Sequence, residues 1–281
     1  MTKKVSIIIP CYNQGKYVSE AIEAALSQTY QDIEIVCVND ASQDNTEEVL
    51  KEFAEKYDNI VFINSEVNGG LPHSRNIAIE KAKGEYILPL DADDKIDPTY
   101  VEKAVDIMES NPQIGMVYCN AELFGKKHGK WNLPEFDEKL FIFQNVIFCS
   151  ALFRKSDWLR AGKYNEDMKI AWEDWDFWLS FIELGLKPYK IPETLFYYRK
   201  HYHKSMLKKV PDFQKTLWKQ IVNNHPKLYL NSDESIERIF ISADTHSKYV
   251  KYKKVFKILF PIIIIENILI ISYFIYRILM G

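Results

Sequence analysis

The chain has 281 residues, 47% of them hydrophobic and 27% charged, with a net charge of −3. This is a globular composition, long enough for one large or two small domains around a sizeable core. So small a net charge leaves no general electrostatic case for nucleic acid as a partner.

In chain order, residues 1–120 alternate between two hydrophobic periods. The opening MTKKVSIIIP holds an apolar run too short for a signal peptide, and 5–9 reads as a buried strand. Val18, Ile22, Ala25 and Leu26 recur at helical spacing and predict a helix over 17–28. A strand at 33–39 follows, then a helix over 45–57 with Asp44, Asn45 or Thr46 as N-cap. Next come a strand at 60–64 and a helix from Leu71, with Pro72 near its start and Gly84 past its end. A strand at 86–90, a helix over 98–110 opened by Asp97 and Pro98, and a strand at 114–120 complete the series. Such alternation predicts an α/β fold, a parallel sheet covered on both faces. Ligands then sit at the carboxyl ends of strands, here Cys11–Asn13, Asn39–Ser42 and Asp91–Asp94. Past 121 the rhythm breaks. Residues 122–139 read as a loop or short hairpin, 146–154 as a strand, and 155–164 as a short helix ending near Gly162. An aromatic helix at 171–185 and strands at 187–191 and 194–199 follow. One catalytic domain is expected over 1–225 and a helical extension over 226–281.

The four cysteines, Cys11, Cys37, Cys119 and Cys149, are far apart in apolar surroundings and form no CxxC pair. They read as buried thiols in a reducing compartment, which puts the main body in the cytosol. The extension differs from the rest. Lys251, Lys253, Lys254 and Lys257 precede a strongly apolar run at about 258–280, interrupted by Glu266, Asn267 and Arg277. Roughly 20 helical residues span a bilayer core. A central carboxylate costs about 3 kcal/mol, and isoleucines at about −0.5 kcal/mol each offset it. Glu266, Tyr273 and Arg277 share one helical face, which also suits a helix lying in the interface. The lysines would then meet anionic lipid on the cytoplasmic face of the cell membrane. The alternative is docking on the domain, or on a second subunit of a homo-oligomer.

Four carboxylates, Asp91, Asp93, Asp94 and Asp97, crowd into seven residues after the apolar run 86–90. At a strand's end, Asp91 and Asp93 flanking Ala92 can converge on a hard cation such as Mg²⁺ or Mn²⁺, shared with a diphosphate. Asp97 reads as the cap of the helix beginning at Pro98. A calcium loop would need an oxygen ligand and a glycine where Lys95 and Ile96 stand. A DxDxT phosphatase is opposed by Lys95, and a nucleotidylyltransferase by the glycine-poor PCYNQGKY turn. Asp40 ends a strand, where it can accept hydrogen bonds from a base or ribose. In NGGLPHSRNIA (68–78) two glycines precede a helix with Arg75 one turn in, suited to a phosphate or to an ion pair with Asp91 or Asp93. In WEDWDFW (172–178), Glu173, Asp174 and Asp176 sit among aromatic walls that raise carboxylate pKa values. That suits a general base, and equally a tryptophan-rich core behind a helix's acidic first turn. In YYRKHYHKSM (197–206), His201 or His203 can ligate a metal.

These stretches, in this order and spacing over roughly residues 4–206, resemble a family 2 glycosyltransferase. The resemblance implies the GT-A fold, a Rossmann-like mostly parallel sheet flanked by helices. It implies an inverting transfer of a hexosyl or N-acetylhexosaminyl group from a nucleotide-sugar donor, commonly a UDP-sugar, to a hydroxyl of a glycan or lipid-linked acceptor, assisted by Mn²⁺ or Mg²⁺. On it, Pro10 and Tyr12 match positions around the base, Asp40 the acid that binds the base, and Arg75 a position near the nucleotide. Asp91, with Ala92, matches the ribose and metal region, and Asp93 the direct metal ligand. Asp174 corresponds to the catalytic base with Glu173 as its neighbour. Tyr198, Arg199 and His201 match a YRxH pattern that makes His201 a further metal ligand. The competing readings are a catalytically silent membrane-bound subunit of the same fold and a nucleotide-sugar hydrolase.

Overall fold

The structure, a computed structural model, describes residues 4–201 and 210–229. The expected basic cluster at 251–257, the apolar segment at 258–280 and His203 lie outside the described residues. Among the described residues no helix is long and apolar enough to cross a membrane.

Strands β1 (Val5–Cys11), β2 (Ile33–Asp40), β3 (Ile60–Ser65) and β4 (Tyr86–Pro89) lie side by side and parallel, in the order β3-β2-β1-β4. Helices α1 (Val18–Leu26), α2 (Thr46–Lys56) and α3 (Leu71–Lys81) make the crossovers. Every residue of β1 and β2 is buried, as a sheet covered on both faces requires. After β4 come β5 (Lys95–Ile96), α4 (Tyr100–Ser110), β6 (Ile114–Gly125) and β7 (Gly129–Trp131). β8 (Leu152–Arg154), α6 (Lys155–Arg160), α7 (Glu173–Glu183) and β9 (Lys187–Lys200) complete this unit. The full order is β3-β2-β1-β4-β8-β6-β9-β5, with β7 beside β6.

The sheet is mixed, not mostly parallel. β8 runs antiparallel to both β4 and β6, β5 runs antiparallel to β9, and β7 to β6. The reason is the broken rhythm after 121: β8 enters from an irregular stretch, not from a helical crossover, so nothing imposes the parallel direction. Only 152–154 of the expected strand 146–154 is extended. The two expected strands at 187–199 are one strand, irregular where Cys119 and Asn120 of β6 meet it. All four cysteines are buried and unpaired.

Among the described residues, 137–145 and 211–229 form a second compact unit. It contains α5 (Glu138–Phe141) and α9 (Pro226–Tyr229), and nearly all of α8 (Val210–Asn224). Asp137 caps α5 by accepting the Leu140 N–H at 3.0 Å, and the Tyr229 hydroxyl donates to the Ile142 carbonyl.

One buried staple sets the register of the first unit. The Glu34 carboxylate accepts from the Ser6 hydroxyl at 2.5 Å, from the Gly84 N–H at 3.0 Å and from the Lys83 N–H. Gly84, expected as a helix stop, lies past the end of α3 and acts by close approach. A Cβ there would stand 2.6 Å from the Ser6 nitrogen and 2.9 Å from the Tyr86 carbonyl oxygen. Gly84→Ala is therefore expected to destabilise the fold by about 1–3 kcal/mol through overpacking. An unchanged urea midpoint would refute that account.

Candidate active site

The carboxyl ends of β1 and β2 are knitted into one wall. Asn13 and Ala41 both take left-handed backbone, φ 55° and 56°; this is a cost of roughly 1–2 kcal/mol at an alanine. It brings the Asn13 N–H to the Ser42 hydroxyl at 2.9 Å and the Gln43 N–H to the Asn13 side-chain oxygen at 2.7 Å. The Gly15 N–H reaches Asp44 at 3.0 Å. Pro10 is buried beneath, and Tyr12 is 47% exposed above. Asp40, 3% exposed, accepts the Gly69 and Gly70 N–H groups at 2.8 and 2.9 Å, one on each oxygen. It thereby fixes the glycine pair at the start of α3, and each oxygen keeps a second lone pair for a ligand.

After β4 the chain turns at Asp91-Ala92-Asp93-Asp94, closed by the Asp94 N–H on the Asp91 carbonyl at 3.0 Å. Ala92 is buried in the turn. The end of β9 grips it: Asp94 accepts the Arg199 N–H at 2.7 Å, and the Asp93 carbonyl accepts Arg199 Nε at 2.7 Å. One residue beyond β9, His201 Nε2 lies 2.5 Å from Asp93 Oδ2. Burial and then the charge of Asp91 push the Asp93 carboxyl up, against the lowering contact with His201. Asp94 is pushed up by burial and then by Asp93, and its Oδ2 has no partner among the described residues. Asp97 is not the cap expected of it: α4 begins at Tyr100 with Thr99 as N-cap, and Asp97 instead closes the turn before it, accepting the Thr99 N–H and hydroxyl at 2.9 and 2.8 Å.

Arg75 joins this turn to α7. Its guanidinium, with the side chain 1% exposed, donates to Asp91 at 2.9 Å and to Glu173 at 2.8 Å, and stands 5.4 Å over the Tyr164 ring. The ion-pair alternative for Arg75 is thus realised with Asp91, and also with Glu173. α7 opens at Trp172, in left-handed conformation at φ 67°, and delivers Glu173 and half-buried Asp174 to the same side. Burial, then the charge of Glu173, pushes the Asp174 carboxyl up to about 7. Cys149, from the irregular stretch before β8, donates to the other Asp91 oxygen at 3.4 Å.

The family model for glycosyl transferase family 2 matches residues 6–157, more than half of the chain. The chain belongs to that family. An uncharacterised glycosyltransferase of Rickettsia typhi is 34% identical over 194 residues, 64% of this chain and 59% of that relative. The chain thus spans about three-fifths of that relative's length. Hyaluronan synthase of Pasteurella multocida is 31% identical over 278 residues, 94% of this chain and 28% of the synthase. Among solved structures, S. aureus TarS 1–349 in complex with UDP superposes with a TM-score of 0.67 at 21% identity, over 90% of this chain and 74% of that 1–349 chain. The mannosyltransferase PcManGT of Pyrobaculum calidifontis, solved with GDP-Man and Mn²⁺, gives 0.60 at 17% identity, over 89% of this chain and 76% of its own. These two likenesses establish the fold.

In this family 2 chain the acids fit a divalent cation. Asp93 and His201 offer an oxygen and an imidazole nitrogen already converged, and Asp93 carries a charge that burial penalises. Among the described residues no group of three or more His, Cys, Asp or Glu side chains is placed to hold a metal ion by itself. Mg²⁺ and Mn²⁺ suit an open site, taking one or two carboxylates and completing the shell with phosphate oxygens and water.

Arg75, Asp91, Asp93, Glu173, Asp174 and His201 come together as a continuous chain of contacts and charges; Pro10, Tyr12 and Asp40 line the wall at β1 and β2. Sequence reasoning placed Asp94 and Arg199 at the site without their mutual contact, and missed Cys149 there altogether. Arg75→Met removes the bridge and leaves two carboxylates unpaired. Breaking such a pair costs about 3–5 kcal/mol, so the urea midpoint of that variant should fall steeply. A variant as stable as the parent would show the bridge to be dispensable.

Proposed function

We propose that the chain is an inverting glycosyltransferase that moves a hexosyl or N-acetylhexosaminyl group from a nucleotide-diphosphate sugar, a UDP-sugar, to a hydroxyl of a glycan or lipid-linked acceptor. The observation that carries this reading is the Asp91–Arg75–Glu173 bridge. Through one rigid guanidinium it fixes the acids that suit a metal-diphosphate against the helix start that bears Asp174. The UDP complex of TarS and the likeness to hyaluronan synthase support the donor and the product class. The apolar 258–280 tail and the lysines before it support work at the cytoplasmic face of the cell membrane, on cell-surface polysaccharide.

Asp40, Pro10 and Tyr12 hold the base, with Asp91 and Ala92 at the ribose. Asp93, Asp91 and His201 would hold Mn²⁺ or Mg²⁺, which when bound would offset the charge of the diphosphate leaving group. Asp174 accepts the proton of the acceptor hydroxyl. The oxygen so freed bonds to the anomeric carbon as the bond from that carbon to the diphosphate oxygen breaks on the opposite face. The carbon is inverted, and the nucleoside diphosphate departs with the bonding electrons. Glu173 holds its neighbour in place through Arg75.

A thermal-shift panel of UDP, GDP, CDP and dTDP with and without Mn²⁺ tests the donor site. UDP with Mn²⁺ should stabilise the parent by about 2.7 kcal/mol at 100 times the dissociation constant, and Asp93→Ala should lose the effect. Stabilisation by no nucleotide would favour a silent subunit. Asp174→Asn should keep the UDP–Mn²⁺ stabilisation and lose transfer by about 10²–10⁴-fold.

The proton that Asp174 must take up requires the charged carboxylate. With its pKa near 7, kcat/KM of the parent should fall about tenfold per pH unit below that value and level off above it. A flat profile from pH 5 to 8 would exclude Asp174 as the base.

A further inference from the structure

The β6–β7 hairpin places an aromatic stripe beside the acids. Register pairs Ala121 with Trp131 and with Phe196, Leu123 with Gly129 and Tyr198, and Gly125 with Lys200. Directly opposed residues, and those two apart along a strand, share a face. Trp131, Phe196, Tyr198 and Lys200 therefore stand on one face, and β6 fills it only with Ala121, Leu123 and Gly125. Phe196 and Phe148 are buried and stacked 4.3 Å apart behind the stripe. Trp131, half-buried, lies 4.7 Å from half-buried Tyr198 at 31°. Lys200 Nζ stands 4.3 Å from the Tyr198 centroid and 5.7 Å from that of Trp131.

This stripe adjoins the diphosphate acids. Burial, then the charges of Asp94, Asp91 and Asp93, push the Tyr198 hydroxyl pKa up, while Arg199 at the alternate position of β9 grips the Asp93–Asp94 turn from the other face. Sheet order then decides which substrate reaches it. The base wall lies at β1 and β2, the acids follow β4, and β6, β7 and β9 lie on the far side of β4. A donor laid from β2 to β4 leaves the β6–β9 side for the other substrate. Charge adds a second constraint. The chain is net −3, yet the hairpin tip exposes Lys126, Lys127, His128 and Lys130 within five residues, and Lys200 adds an ammonium against the rings.

We propose that Trp131 and Tyr198 form the acceptor subsite, a stacking platform for a pyranose ring, and that Lys200 selects a sugar bearing a negative charge, carboxylate or phosphate. This rests on the glycosyl-transfer reading above. Aromatic faces meet the apolar C–H face of a pyranose, and their rigidity costs little ordering entropy. The ammonium offsets the repulsion that Asp91 and Asp93 would exert on an anionic acceptor.

Saturation-transfer NMR on the full chain with UDP and Mn²⁺ tests it, with methyl β-D-glucopyranoside, methyl β-D-glucuronide and glucose 6-phosphate as probes. At least one anionic sugar should bind about fivefold tighter than the neutral one, and which one identifies the anionic group. Lys200→Gln should erase that preference and spare the neutral sugar. Trp131→Ala should weaken all three about tenfold, and Trp131→Phe should restore most of it. Unchanged UDP–Mn²⁺ stabilisation in these variants would show that they are folded and that the donor site is intact. Parent-like binding by Trp131→Ala would overturn the platform. A preference that survives Lys200→Gln, or none in the parent, would overturn the charge selection. Absence of stabilisation of the parent by any of UDP, GDP, CDP or dTDP with Mn²⁺ would overturn the glycosyl-transfer reading, and this proposal with it.

Discussion

Two carboxylates from distant parts of the chain, Asp91 and Glu173, meet on one buried guanidinium, and the geometry of the site follows from that contact. Arg75 is suited to the task because its planar fork can donate in two directions at once and keeps its charge when dry. A lysine offers one point charge and no such span. Burial disfavours the charge, but Asp91 and Glu173 raise the Arg75 pKa well above its usual value. The Tyr164 ring beneath adds a cation–π contact at 5.4 Å. Without Arg75 the acidic turn after β4 and the acidic start of α7 would repel one another in a half-dry cleft.

The other end of the acidic turn is held by β9. Arg199 uses its backbone N–H on Asp94 and its Nε on the Asp93 carbonyl, and pairs with Glu20 at 2.9 Å. Its side chain lies between the Tyr17 and Phe124 rings, 4.8 and 4.3 Å from their centroids. This clamp carries His201 to Asp93. The turn is thus gripped on one flank through α3 and on the other through β9. That is how so much negative charge can be confined to four residues.

The first 120 residues were legible because each βα unit declares itself locally, by a run of β-branched residues or by a 3.6-residue period. Position at the carboxyl end of a strand likewise marked Asp40 and Asp91–Asp94. The rest depended on partners the local pattern does not encode. Arg75 finds Glu173 98 residues away and Arg199 finds Asp94 105 residues away; spacing along the chain carries neither. Gly84 read as a helix stop because glycine ends helices, whereas a three-dimensional near-contact with Ser6 is what requires it. The direction of β8 was hidden for the same reason, since the chain enters it from the irregular stretch 142–151 and not from a crossover helix packed on the sheet. The hairpin strand β7 is three residues long, too short for any period to show.

The WEDWDFW stretch admitted two readings, a tryptophan-rich core or a catalytic carboxylate among aromatic walls, and the structure makes them one. Phe177, Trp178 and Phe181 pack against Phe153 at 5.2, 5.7 and 5.9 Å between centroids. Burying a side chain of this size contributes about 1.5–3 kcal/mol, enough to hold Trp172 in left-handed backbone at a cost of roughly 1–3 kcal/mol. Phe177 also stacks on Tyr164 at 4.1 Å, and Tyr164 lies under Arg75. The rings that anchor α7 also help wall the start of the helix, where burial is the leading cause of the raised Asp174 pKa. Stability and proton affinity therefore draw on the same buried area here. A polar residue in place of one of these rings would loosen the helix and let water in toward Asp174, returning that carboxyl toward its ordinary acidity.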